Sequence, residues 1–233
     1  MQVASSHRQL VTAAYLASVV FGAFWGTWGS AVPRVRDQAG LDDAQLGTAL
    51  LFISAGALPA MLLTGRALDR WGLRCTALVV VALGGAGLAT AITADGLVSL
   101  CAGLAGVGVA SGAVDVAMNS VGGRAEQRSG RPIITRAGAV FSTTVVVSSL
   151  ATGVGFALGA PTWIPFAGVL LLSALAGAAI HRALPAGMSG PEPTGAGVRS
   201  SWRTSWPPDP GSARSRLRRS PPSWRPPASR SAR

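Results

Sequence analysis

The stretch TGRALDRWGLR, residues 64–74, sets Arg66, Asp69, Arg70 and Arg74 between two long apolar runs. Its surroundings decide how those charges are read. Of the 233 residues 49% are hydrophobic and only 12% charged, against about 25% charged in a soluble domain. A chain this apolar and this poor in charge reads as a membrane protein. All twenty basic residues are arginine, which fits the codon usage of a GC-rich genome and carries no chemical argument.

Outward from residues 64–74, six stretches are long enough to cross a bilayer core, which takes about 20 helical residues. They cover approximately 10–32, 44–64, 76–94, 97–119, 134–159 and 162–180. The first could pass for a signal peptide with Arg8 as its charged end, but it is longer than a usual apolar signal core and five more runs follow. The expected fold is therefore an all-α membrane protein, a six-transmembrane-helix bundle over residues 1–184. Pro33 is expected to close span 1, and Pro161 and Pro165 to mark the start of span 6. Asp42, three residues before Gln45, predicts a capping box at the start of span 2. The pairs Gly22/Gly26, Gly108/Gly112 and Gly155/Gly159 have the spacing that lets helices approach closely in lipid.

Arginine placement sets the topology. Arg8, Arg66, Arg70, Arg74, Arg124, Arg128, Arg131 and Arg136 fall on one side, and Arg34 and Arg36 on the other. The positive-inside rule then puts both termini in the cytoplasm, with the bundle in the inner, or plasma, membrane. The net charge of +11 is unevenly spread. Residues 1–180 carry ten arginines against seven acids, whereas residues 181–233 carry ten against two. The basicity is a property of the tail, and a nucleic-acid partner for the whole chain is not supported. Cys75 and Cys101 are expected at opposite membrane faces, roughly 30 Å apart at the helical rise, too far for a disulfide. No zinc-like spacing and no cofactor motif is present; His7 and His181 lie outside the apolar runs.

From about residue 185 the chain becomes Pro, Ser, Arg, Gly and Trp without periodicity, and ten of the fifteen prolines fall in the last 53 residues. Residues 185–233 are expected to be a disordered tail. Out-of-frame reading of a GC-rich gene yields this composition, so a frameshift or truncation within 186–200 is expected. The alternative is a six-helix protein whose basic tail holds anionic lipid.

The 64–74 stretch resembles the signature loop of the major facilitator superfamily, G-x-x-x-D-[RK]-x-G-[RK]-[RK]. Gly65, Asp69, Arg70, Gly72 and Arg74 match, and Leu73 stands where a basic residue is usual. The segments SGAVDVAMNSVGGRAEQRSGRPI and GTWGSAVPRVRDQAGLDDAQLG are similar to a poorly characterised bacterial branch related to sugar–proton symporters. The resemblance covers residues 10 to about 180 and implies the N-terminal half of a twelve-helix fold that moves a small solute by alternating access. It implies a gating role for Asp69 and Arg70, with Asp69 meeting a helix of the second six-helix half. Two departures stand out. The fourth run holds no arginine, which leaves proton coupling open, and GFALGAP places Ala160 inside the Gly-Pro signature of helix 5.

Asp115 is the only ionisable residue well inside a span. A charge at that depth costs about 2.5–3.5 kcal/mol on insertion scales. Two readings stay open: a proton carrier or substrate contact together with Asn119 one turn on, or a structural pair with an arginine of the 4–5 connection. Trp25 could line a solute cavity, while Trp28 fits an interfacial belt or the core. The expected partners are the bilayer, a small solute of unknown identity, and either a missing second half or a second copy in a homodimer; a proton is a further candidate. With no intramembrane histidine to set beside Asp115, an enzyme is not expected. A membrane interaction protein is the remaining alternative. Translating the gene beyond codon 185 in its other two frames is expected to give further apolar spans; their absence from both frames would sink the frameshift reading.

Overall fold

The computed structural model describes residues 2–184, with side chains from Arg8 onward; the tail expected over 185–233 lies outside the described residues. Six helices follow in order: α1 Gln2–Ala39, α2 Asp43–Trp71, α3 Cys75–Thr93, α4 Leu97–Ser129, α5 Ile133–Ala157 and α6 Trp163–Ala183. All six are long and apolar enough to cross a membrane. In a bilayer core a helix satisfies its own backbone groups, so a run of apolar residues has little alternative to this form. The chain is a multi-pass membrane protein.

Three helices outrun the spans expected for them. Pro33 does not close α1, which continues to Ala39. Val35 and Ala39 are buried in the core, and that packing outweighs the one backbone bond a proline removes. Near the same end Arg36 pairs with Asp37 at 2.9 Å and Asp43 at 2.7 Å. α2 continues through residues 65–71, so most of the signature stretch is helix rather than loop. α4 runs ten residues beyond 119, carrying Arg124 and Arg128 on the helix. Val121 and Ala125, one turn apart, are fully buried and hold that extension down. It stops at Gly130, whose left-handed backbone (φ 64°) lets its N–H reach the Glu126 carbonyl at 2.8 Å, a glycine helix stop. The capping box at Asp42 and Gln45 is present as expected.

The helices pack mainly as α1 with α5, α2 with α4, and α3 with α6. Each pair closes on glycine. A Cβ on Gly26 would strike Ser148 Oγ and the Val145 carbonyl, and one on Gly22 would lie 2.6 Å from the Phe141 carbonyl. A Cβ on Gly108 would run into the Ile53 carbonyl, and one on Gly112 would come within 2.7 Å of the Ala57 carbonyl. Between α3 and α6 the same role falls to Gly84, against Ser173, and Gly177, against Val81. The pair Gly155/Gly159 departs from expectation. Gly159 lies past the end of α5 in a turn at φ 85°, and a Cβ on Gly155 would meet only Ala160, at 3.9 Å.

Hydroxyls add to the α1–α5 contact. Ser30 Oγ donates to the Ser149 carbonyl at 3.1 Å, Ser149 Oγ to the Gly26 carbonyl at 3.0 Å, and Thr152 Oγ1 to Thr27 Oγ1 at 3.2 Å. Such bonds between membrane helices each contribute about 0.6 kcal/mol on average. Cys75 begins α3 and Cys101 lies near the start of α4, both as free thiols. Gly108→Val is expected to lower the thermal unfolding temperature of the detergent-purified bundle, at a cost of about 1–3 kcal/mol for overpacking. Gly106→Ala, where a Cβ meets nothing within 4 Å, should leave it unchanged or raised.

Candidate functional site

A cavity of about 240 Å³ opens between α1, α4 and α5, lined by Ser18, Phe21, Asp115, Met118, Asn119, Gly122, Ile134, Ala137, Gly138 and Phe141. Asp115 and Asn119 reach it together because four residues make about one helical turn, which puts both side chains on one face. Asp115 lies 14 residues before the end of α4. Asn119 Nδ2 donates to the Asp115 carbonyl at 2.9 Å and to its Oδ1 at 3.2 Å. Among the described residues no arginine pairs with this carboxylate.

The cavity wall opposite is aromatic. Phe21 on α1 and Phe141 on α5 have ring centroids 5.6 Å apart, inclined at 36°. Trp25 does not line this cavity. It stands behind Phe21, with ring centroids 6.2 Å apart and planes nearly perpendicular, and packs the same way on Phe24. Trp28 is buried against Phe166, which is the core alternative rather than the belt. Sequence reasoning missed Phe21, Met118 and Phe141 as cavity residues. Their apolar character fits any membrane helix, and only the crossing of α1, α4 and α5 sets them around Asp115.

The signature stretch divides into an anchored part and a presented part. Gly72 ends α2 with φ 78°, and its N–H reaches the Leu68 carbonyl at 2.9 Å. Leu73, the departure from the usual basic residue, is only 2% exposed and belongs to the hydrophobic core. Arg74 Nε donates to the Leu184 carbonyl at 2.8 Å, tying the α2–α3 turn to the end of α6. Asp69 and Arg70, by contrast, are exposed on the last turn of α2, beside Trp71 at 66% exposure. Neither charge forms an ion pair or side-chain hydrogen bond among the described residues. Gly65 is half-buried on α2, and a Cβ there would meet nothing within 4 Å.

A comparable tie exists at the opposite end of the bundle. Arg34, near the end of α1, donates to the Phe156 carbonyl at 2.8 Å and the Ala160 carbonyl at 3.1 Å. Its guanidinium carbon also lies 4.5 Å from the Phe156 ring centroid. At the start of α5, Glu126 Oε2 accepts from the Ile134 N–H at 3.0 Å.

An uncharacterised MFS-type transporter of Yersinia pestis is 32% identical over 134 residues, 58% of this chain and 35% of that protein. An uncharacterised transporter of Sinorhizobium fredii is 29% identical over 150 residues, 62% of this chain and 38% of that protein. The chain is a relative of MFS-type transporters. The Rhizobium meliloti membrane protein MosC is also similar, 29% identical over 109 residues, 47% of this chain and 27% of MosC. No protein-family model matches the chain. The chain thus spans little more than a third of the length of these two curated relatives. Its six apolar helices are the content of half a twelve-helix MFS transporter.

Arg74→Ala is expected to lower bundle stability by about 0.5–1.5 kcal/mol, the usual net worth of a hydrogen bond, read by thermal unfolding. Asp69→Asn, at an exposed site, should change it by less than about 0.5 kcal/mol.

Proposed function

We propose that this bundle is the N-terminal half of a solute transporter of the major facilitator type, working by alternating access, and is not an enzyme. The observation that carries the reading is the Asp115–Asn119 cavity, which sets a half-buried carboxylate beside an exposed carboxamide in a cleft between three apolar helices. A charge kept at that depth in a membrane helix marks a pathway residue. Cavities of transporters lie between structural repeats, which rock about the bound solute. In this scheme Asp115 and Asn119 are the solute or proton contacts, and Trp25 stiffens the wall from behind Phe21.

The gate follows from the divided signature stretch. Gly72, Leu73 and Arg74 fix the turn to the bundle, and Asp69 and Arg70 are presented outward for a second six-helix unit. Asp69 would accept from backbone N–H groups at the positive end of a helix there. α2 and α5 are the least covered of the six helices, and they present Leu51, Leu58, Leu62, Val147, Leu150 and Val154. These faces fit a second unit, whether the other half of the transporter or a second copy of this chain. Without such a unit the chain is inactive. The arginine distribution supports cytoplasmic termini and an inner-membrane location, with Asp69 and Arg70 on the cytoplasmic side.

The test is a solute-uptake screen in vesicles holding the chain together with its second six-helix unit. Asp115→Asn is expected to lower uptake at least about tenfold, equivalent to 1.36 kcal/mol in the barrier. Asp69→Asn should leave the bundle folded while making uptake leaky or slow. Uptake unaltered in Asp115→Asn would remove that residue from the pathway, and uptake by the chain alone as a monomer would overturn the need for a second unit.

A further inference from the structure

We infer that the Asp115 cavity selects a small organic cation, a protonated amine or quaternary ammonium carrying an apolar body, over neutral and anionic solutes of the same shape. The inference rests on the reading of this cavity as the solute site and names its substrate class. Three features of the wall point the same way. Asp115 is the only ionisable residue among the described residues that line it, so its carboxyl group meets no cationic side chain in that wall. A carboxylate has roughly four lone-pair positions to satisfy. Asn119 supplies one donor to Oδ1, and Oδ2 accepts from nothing among the described residues. The remaining capacity faces a space walled by apolar and aromatic groups.

The second feature is that aromatic wall. Phe21 and Phe141 both line the cavity. The face of an aromatic ring carries the negative end of its quadrupole, so it attracts a cation within about 6 Å of its centroid and repels an anion. The third is the scarcity of neutral hydrogen-bonding groups. Ser18 is buried and donates its hydroxyl hydrogen to the Ala14 carbonyl at 2.9 Å, and Asn119 directs its Nδ2 donors to Asp115, which leaves mainly acceptor oxygens. A polyhydroxylated solute would find few partners for its hydroxyls here, whereas an ammonium group on an apolar body finds a carboxyl group, two aromatic rings and the side chains of Met118 and Ile134.

The inference is tested by equilibrium binding to the full chain in nanodiscs, with three probes of one shape: 2-phenylethylammonium, neutral 2-phenylethanol and anionic 3-phenylpropionate. Binding is taken as the difference between the wild type and Asp115→Asn, which removes partition into lipid. The expected result is a preference for the cation of at least about tenfold over either analogue. Asp115→Glu should retain part of the binding, and Phe141→Leu should weaken the cation alone by about threefold, the scale of one cation–π contact. Thermal unfolding of each variant separates lost binding from lost fold. Equal binding of 2-phenylethylammonium by wild type and a folded Asp115→Asn variant overturns the inference, as does no binding by wild type or equal preference for the neutral probe. Asp115-dependent uptake of a neutral or anionic solute would sink cation selectivity and leave the transport reading standing. Cation binding in a chain that moves nothing, even with its second unit, would do the reverse.

Discussion

Between apolar helices in a bilayer the hydrophobic effect has little to act on, because lipid tails are as apolar as the side chains they would be exchanged for. Association must come from close packing and from polar groups that meet across the interface. This bundle uses both. Gly22 and Gly26 bring α1 onto the backbone of α5, Gly108 and Gly112 bring α4 onto α2, and Gly84 and Gly177 join α3 to α6. Everything at the cavity depends on the first two contacts. α1 and α5 must touch for Phe21 and Phe141 to face each other, and α4 must be held in place for Asp115 to open beside them.

Helix ends pose a separate problem, because the last four carbonyls of each helix lack partners within it. Two arginines meet that need from neighbouring segments. Arg34 reaches the end of α5 and Arg74 the end of α6, where a cation also suits the negative pole of the helix dipole. The signature stretch thus combines two jobs within a few residues. Arg74 fastens it to the bundle, which leaves Asp69 and Arg70 standing on a fixed base. Leu73 adds to the base from the apolar side, so its departure from the usual basic residue has a place in the core.

Much of the architecture was legible because lipid permits few forms. Six apolar runs became six helices, and the Asp42/Gln45 cap and two of the three glycine pairs were readable from local spacing. Legibility failed at the helix ends. Pro33 reads as a stop, yet the packing of Val35 and Ala39 beyond it is a tertiary effect that no local rule contains. The extension of α4 past Asn119 likewise rests on Val121 and Ala125 finding the core. Asp115 and Asn119 were legible as a pair because polar residues are rare in such a helix. Phe21, Met118 and Phe141 were not, since nothing local separates an aromatic or thioether at a cavity from one in the core.

α5 is fastened at both ends by side chains of other helices, Glu126 of α4 at its first turn and Arg34 of α1 at its last. Those two attachments remove one degree of freedom, since sliding α5 along its axis would break one of them in either direction. Tilting and rolling on α1 remain available, because small residues and short hydroxyl side chains make up much of that contact. Any motion that widens or narrows the Asp115 cavity through α5 is therefore a hinge and not a piston.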